Sequence, residues 1–348
     1  MATMRDIAVQ AKVSISTVSA VINKKPCVAE PLRQHVEAVI ATLGYNRNPH
    51  ATNLKSRTSN TIAILIPNIT SIFFPEILKG IERGAREHGM SILICDTNKS
   101  IVDEKEYMRI LKNYWVKGIV LDTLVNLDID HEYRHFLCED LIERNGTTIV
   151  LMESTSTYRC LPSVSVDNTK GGYDCTNHLL QLGHRCIAHI TGNPQLRFSQ
   201  LRTQGYRDAL DTYGIAFEPS LVADGDFSPL SGYAATKQLL QEGGGFSAIF
   251  ASNDQMAVGA IKALKESGLR VPEDVAIVGF DNTFVATLID PALTTINVPR
   301  FRMGHEAARM ITDRELLMGS NNIVLEGNLI VRRSSDASAS DTWDLYGW

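Results

Sequence analysis

The chain lacks any apolar run long enough to cross a bilayer: its longest, such as IAILI and AIVGF, are strand-sized, far below the roughly 18 residues that a membrane helix needs. It also lacks a C-x-x-C pair, since Cys27, Cys95, Cys138, Cys160, Cys175 and Cys186 are scattered over 348 residues. That scatter excludes a cysteine zinc cage and a disulfide framework, and predicts reduced thiols in a cytoplasmic protein. The opening stretch MATMRDIAVQAKV turns charged at once and offers no secretory h-region. With 44% hydrophobic and 21% charged residues, the composition is that of a globular protein with ample length for two or three domains.

A net charge of −5 would argue against a polyanionic partner if it were evenly spread. It is not. Residues 1–60 hold eight Lys/Arg against three Asp/Glu, a local +5, which leaves −10 for the other 288. A basic head on an acidic body points to a nucleic-acid-binding module joined to something else.

The head reads as three short helices. Thr3 opens T-M-R-D, a capping-box start, with Ile7, Ala8 and Ala11 at helical spacing. SISTVSAVIN is the second, with Ile15, Val18, Val21 and Ile22 as its apolar stripe. The third runs from about Pro31 to a stop at Gly44. Three short basic helices with a tight second connection make a helix-turn-helix candidate. Residues 47–60, RNPHATNLKSRTSN, have the composition of a solvated linker. From residue 61 the runs TIAILIP, SILICDT, GIVLDT, TTIVLME, CIAHITG, SAIFASN and VAIVGFD alternate with helix-length segments. This alternation predicts two doubly wound parallel α/β units meeting near 163–172, with ligands at the carboxyl ends of the strands. Asp96, Asp122, Glu153, Asn253–Asp254 and Asp281–Asn282 fall at those ends. SDASASDTWDLYGW, 335–348, reads as a loose tail.

Residues 131–135, HEYRH, carry the H-E-x-x-H spacing of a zinc metalloprotease. The next residues, FLCEDLIERNG, supply no third histidine and lead straight into a strand. Phe136, Leu137, Leu141 and Ile142 make the segment an ordinary crossover helix, so neither a metal site nor an enzyme is expected, and no cofactor is implied.

With these segments in place the chain resembles the lactose/galactose-repressor (LacI/GalR) family. The marks are RDIAVQAKVSISTVSAVIN, LGYNRNPHATNLKS, SIFFPEILKGIE, VDNTKGG, HLLQLGHR, ASNDQMAVGAIKALKESGLRVPEDVAIVGFDN and PALTTINVPR, in order, over about 3–334. The resemblance implies an α/β fold in which a helix-turn-helix head (1–46) joins, through a hinge helix (47–60), a periplasmic-binding-protein-like core (61–348). Within that core it implies an N-subdomain of about 61–161 plus 293–322, a C-subdomain of about 162–292 plus 323–334, and a tail 335–348. It further implies a homodimeric regulator, most simply a repressor, that binds a pseudo-palindromic operator in double-stranded DNA under control of a small molecule. A ligand-dependent activator, a sugar-binding transport protein and a zinc enzyme at HEYRH are the alternatives.

In a helix-turn-helix the start of the second helix reaches base edges while nearby hydroxyls bond phosphates. Ile15, Ser16 and Ala20 are thus expected to read bases, and Thr17, Ser19 and Asn23 to touch the backbone. Relatives often carry arginine at position 20. Ala20 and Ile15 instead favour apolar contacts such as thymine methyls. In the hinge, the resemblance assigns Leu54, flanked by Ala51 and Lys55, as a wedge between base pairs. Thr52 stands where relatives usually have arginine. For the effector it implies Phe73 (or Phe74), Asp122, Glu153, Arg202, Phe227, Asn253 and Asp281, with Arg202 opening a helix between the lobes. Asn253 and Asp281 also suit helix caps. Several acids around one arginine favour a neutral sugar or polyol.

Overall fold

A computed structural model describes residues 2–45, 59–153, 158, 160–243, 245–313 and 322–340. The hinge residues Ala51, Thr52, Leu54 and Lys55 lie outside the described residues. The chain divides into two units, Met1–Thr58 and Ser59–Trp348.

The first unit contains α1 (Met4–Gln10), α2 (Ile15–Ile22) and α3 (Glu30–Thr42). The expected capping box is formed: Asp6 N donates to Thr3 Oγ1 at 3.3 Å and Thr3 N to Asp6 Oδ2 at 2.8 Å. Ser14 caps α2 by accepting from Thr17 N at 3.1 Å, which sets the tight turn before that helix. Ile7, Ala8, Ala11, Val18, Val21 and Val36 are its buried core. Ile15 departs from the expected stripe. It is 48% exposed, because the first residue of α2 projects away from the α1–α3 side that Val18 and Val21 fill.

The second unit holds two six-stranded sheets, one per lobe. All seven strands expected from the pattern are formed. In order they are β1 (Thr61–Ile66), β2 (Ser91–Asp96), β3 (Gly118–Leu121), β4 (Thr148–Met152), β6 (Ile187–Thr191), β8 (Ala248–Ala251) and β9 (Ala276–Asp281). Five further strands complete the sheets: β5 (Ser163–Val166), β7 (Val222–Asp224), β10 (Thr294–Asn297), β11 (Asn322–Leu325) and β12 (Asn328–Ile330). The orders are β11-β5-β4-β3-β1-β2 and β12-β10-β9-β8-β6-β7. Pairing is parallel except between β10 and β12. β5 and β11 therefore belong to the first lobe and β10 to the second. The chain crosses between lobes after Val166, Asn297 and Leu325, not near 162, 293 and 323 as expected. SVSV is short, and its Ser163 and Ser165 are buried, so hydropathy alone did not announce a core strand.

Helices cover the sheets. Those that matter here are α4 (Phe74–Glu87), α5 (Ile101–Tyr114), α7 (Asn168–Gln181), α8 (Arg197–Thr212), α10 (Asp254–Glu266) and α12 (Arg300–Thr312). Between α5 and α7, the HEYRH segment forms α6 (His131–His135), which runs on in wider turns through Phe136–Arg144. It buries Tyr133, Leu137 and Leu141 against the first sheet, with Phe136 and Ile142 packed beside them. His131 and His135 face solvent, and His135 Nδ1 lies 2.9 Å from Glu139 Oε1.

Two expectations need correction. Cys138 and Cys160 are joined by a disulfide with Cα atoms 6.1 Å apart, because the turns after α6 pack beside the chain that follows β4. The spacing of 22 residues carried no motif that would have shown it. Ser335 is not the start of a loose tail: it is buried, its Oγ within 2.6 Å of Thr294 Oγ1 and 2.8 Å of His178 Nε2. Of the expected tail, 341–348 lie outside the described residues.

The helices α4 and α12 approach so closely that a Cβ on Gly80 would stand 2.1 Å from Phe301 O, and one on Gly304 2.0 Å from Ile77 O. Gly→Ala at an open helical site stabilises by about 0.5–1 kcal/mol. At Gly80 the sign should reverse, Gly80→Ala costing about 1–3 kcal/mol as overpacking does. Urea unfolding of the core reads this directly, and an unchanged or raised midpoint contradicts the close approach.

Candidate functional site

The loops leaving the carboxyl ends of β1, β3, β4, β6, β8 and β9 converge on the cleft between the lobes, as doubly wound sheets require. All seven residues expected there, Phe73, Asp122, Glu153, Arg202, Phe227, Asn253 and Asp281, line one cavity of about 280 Å³, and so does Phe74. Periodicity could not have brought them together. Chain reversal at each strand end does.

Arg202 is the centre of the arrangement. It lies in the second turn of α8, not at its opening as expected, and is 2% exposed. Its Nε donates to Asn168 Oδ1 at 2.8 Å and its Nη1 to Ser252 O at 2.5 Å. Its Nη2 is 3.7 Å from Glu153 Oε2, its Nη1 is 3.6 Å from Asp281 Oδ1, and the guanidinium sits 3.7 Å from the Phe280 ring centroid. Glu153 belongs to the first lobe and Arg202 to the second, so this charge spans the hinge.

Glu153, Phe227 and Asp281 have φ values of 52°, 67° and 106°. Side-chain-bearing residues rarely hold this left-handed backbone, and such outliers cluster at binding sites. Glu153 Oε1 and Asp281 Oδ1 are buried with no hydrogen-bond partner among the described residues. Buried acceptors left open in a cleft are what a hydroxyl-bearing ligand would satisfy. Asn253 has a different task. Its Oδ1 accepts from Met256 N at 2.9 Å as the cap of α10, and its Nδ2 donates to Phe227 O at 3.2 Å, so it positions Phe227. Asp281 caps no helix.

Electrostatics follow from burial. Desolvation raises the Asp281 carboxyl to about 8, with Arg202 opposing it. Burial also raises Glu153 against the pull of Arg202, and raises Asp122 well above its usual range with help from Glu153 and Glu104. At neutral pH the Asp281 carboxyl thus keeps its proton and can donate beside the arginine, which gives the cavity a mixed set of donors and acceptors suited to neutral hydroxyls.

Sequence reasoning missed Phe198, whose ring lies 5.3 Å from that of Phe227. Its place one helical turn before Arg202 was the available signal. It also missed two contacts across the rim of the cleft. Lys99 Nζ lies 3.3 Å from Asp226 Oδ2, and Ser71 Oγ donates to Gln255 Oε1 at 3.3 Å.

In the first unit, Ile15, Ser16 and Asn23 are exposed on α2, and Thr17, Ser19 and Ala20 are partly so. Ser14 Oγ lies 2.6 Å from Ser16 Oγ and 2.8 Å from Thr17 Oγ1, and Asn23 Nδ2 donates to Ser19 O at 2.7 Å. These side chains make one polar ridge on the helix, with Val18 and Val21 turned inward.

Residues 3–48 match the family described as bacterial regulatory proteins, lacI family, and residues 176–335 match the periplasmic binding protein-like domain. The HTH-type transcriptional repressor CytR of Escherichia coli (strain K12) is 34% identical over 339 residues, 97% of each chain. Among solved structures, the lac repressor dimer bound to operator and the anti-inducer ONPF superimposes with a TM-score of 0.83 at 28% identity, over 96% of this chain and 99% of that one. A complex of the transcriptional regulator CelR with cellobiose gives 0.71 at 31% identity, over 96% and 100%.

The raised Asp281 carboxyl holds a proton when folded that the unfolded chain, near the ordinary 3.8, gives up. The folded state then binds more protons between about pH 4 and 8, so stability falls as pH rises through that window. The melting temperature of the core should drop from pH 5 to pH 8, and Asp281→Asn should flatten that slope by about one proton's worth. Calorimetry across the range decides. An identical slope in the variant would place the proton elsewhere.

Proposed function

The chain belongs to the LacI family of bacterial regulatory proteins, and on that premise we propose that it is a cytoplasmic DNA-binding repressor whose operator affinity is set by a neutral, sugar-like effector bound between the lobes. The observation that carries the effector reading is the buried Arg202 between Glu153 and Asp281, each with a buried carboxyl oxygen that has no hydrogen-bond partner among the described residues. An arginine fork with carboxyl groups bonds hydroxyls in fixed pairs, and Phe73, Phe198 and Phe227 supply faces for the apolar side of a ring. Its role is recognition without catalysis.

At the DNA end, Ile15, Ser16 and Ala20 read the major groove, while Thr17, Ser19 and Asn23 hold the backbone. No arginine stands on this face of α2, so apolar contacts to thymine methyls carry much of the discrimination. Leu54, between Ala51 and Lys55, acts as the minor-groove wedge. A homodimer presents two heads to a pseudo-palindromic operator. The strand β2 favours self-association: it is an edge strand that exposes Leu93 and Ile94, and the helix after it exposes Val102 and Ile110.

The linkage is two-state. Effector in the cleft selects one angle between the lobes, and that angle sets the spacing of the paired heads. A coupling of about 1–3 kcal/mol changes operator affinity roughly 5- to 150-fold.

Two variants separate the functions. Removing residues 1–58 is expected to abolish operator binding and keep effector binding, read by fluorescence anisotropy of an operator duplex and by calorimetry; loss of both would place the effector site wrongly. Arg202→Lys keeps the charge but loses the planar fork. It should bind operator like the parent and lose the effector response by about 100-fold or more in effector concentration, and an unchanged response would remove Arg202 from the site.

A further inference from the structure

A second cavity, of about 330 Å³, adjoins the first. Asp122, Glu153, Leu196 and Phe198 line both, so the two chambers meet at the carboxyl ends of β3 and β4. The second chamber also lies between the lobes. Asn126, Asp128 and Tyr158 come from the first lobe, and Gln195, Arg197 and Gln200 from the loop before α8 and its first turn.

Its chemistry differs from that of its neighbour. The first chamber is walled by phenyl rings, whereas the second offers amides, a phenol, a carboxylate and one guanidinium. Arg197 makes no ion pair among the described residues and is exposed at the start of α8. Asp128 offsets that single cation, and the buried carboxyls of Asp122 and Glu153 add no positive charge, so nothing here favours a phosphate or a carboxylate.

The wall is built in advance. A nearly inaccessible carboxylate, Glu104, accepts from Thr123 Oγ1 at 2.7 Å, from Tyr133 OH at 2.9 Å and from Leu124 N at 3.3 Å. It thereby fixes the loop that follows Asp122. Arg134 Nη1 donates to Leu127 O at 2.9 Å and to Tyr158 OH at 2.5 Å, and Tyr158 OH donates to Asp128 Oδ1 at 2.7 Å. Tyr133 and Arg134 fill the two variable positions of H-E-x-x-H, so the motif with zinc-site spacing instead braces this wall. Such bracing lowers the ordering cost of binding.

We propose that the effector has two rings. One packs on the phenyl faces beside Arg202 and Asp281, and a second, neutral and hydroxyl-rich, occupies the chamber of Asn126, Asp128, Tyr158, Gln195, Arg197 and Gln200. The ligand class is a disaccharide or a glycoside with a polar aglycone, its linkage passing between Asp122 and Phe198. Each chamber alone sits near the lower end of the roughly 300–1,000 Å³ of small-molecule sites, which suits one ring apiece. This rests on the reading of the cleft as the site of a neutral sugar.

The test is calorimetric titration of the full chain with matched probes: glucose with cellobiose and maltose, galactose with lactose and melibiose, fructose and glucose with sucrose. A two-ring sugar is expected to bind at least about 100-fold more tightly than either of its component monosaccharides. Arg197→Ala and Asn126→Ala should each weaken that two-ring sugar about tenfold or more, at most 1–2 units of log Kd apart. If a monosaccharide binds as tightly as every glycoside containing it, and both variants bind like the parent, the second chamber is not a subsite, while the sugar reading stands. If none of the probes, of one ring or two, binds, the sugar reading fails and this inference fails with it.

Discussion

Burying a guanidinium costs several kcal/mol unless its charge and its five donors are matched, and that requirement organises the cleft around Arg202. Asn168, Ser252 O, Glu153 and the adjacent Phe280 ring and Asp281 carboxyl come from four different segments, and each must be in place for the charge to be tolerated. Asn168 opens the helix after the first crossing between lobes, and Glu153 directly follows a strand of the opposite lobe. On the proposed function, the arginine is at once a ligand-binding group and a gauge of lobe angle. A ligand that engages Glu153 and Asp281 alters the environment of a charge whose balance depends on how the lobes sit.

Polar contacts between the lobes gather in the same region. Arg300, at the second crossing, lies 3.0 Å from Glu76 on the first lobe and donates to Asn282 O on the second at 2.9 Å. Asn282 follows Asp281 directly. Asp254, raised to about 6 by burial, accepts from Thr283 and Thr295 beside the same crossing. Rim contacts from Lys99 and Ser71 complete a set of polar links that a change of lobe angle would remake together. Because polar links in a dry cleft are either satisfied or costly, the lobes are expected to hold discrete positions, which a two-state regulator requires.

Much of this was legible beforehand, for identifiable reasons. The capping box at Thr3, the cap at Asn253, and seven strands rich in β-branched residues are local signals, and each appears where its pattern placed it. SVSV and TTIN were missed because buried serine and threonine strands carry no hydropathy signature. Their pairings in turn decide where the chain crosses between lobes. The Cys138–Cys160 pairing and the anchoring of Ser335 depend on packing between distant segments, on which spacing is silent. HEYRH is the opposite case, a local pattern whose meaning came only from its neighbours. Its histidines face solvent, and its tyrosine and arginine do the structural task.

By itself the sequence determined the class of elements, the division into a basic head and an acidic core, and the residue types available at each strand end, because periodicity, capping and charge are properties of short segments. Tertiary structure alone decided that Arg202 lies buried among carboxyls rather than exposed at a helix start. It likewise decided that Asp281 holds its proton near neutrality and that a second chamber opens beside the first. Those outcomes turn on desolvation and on distances between residues far apart in the chain, and no short segment contains either.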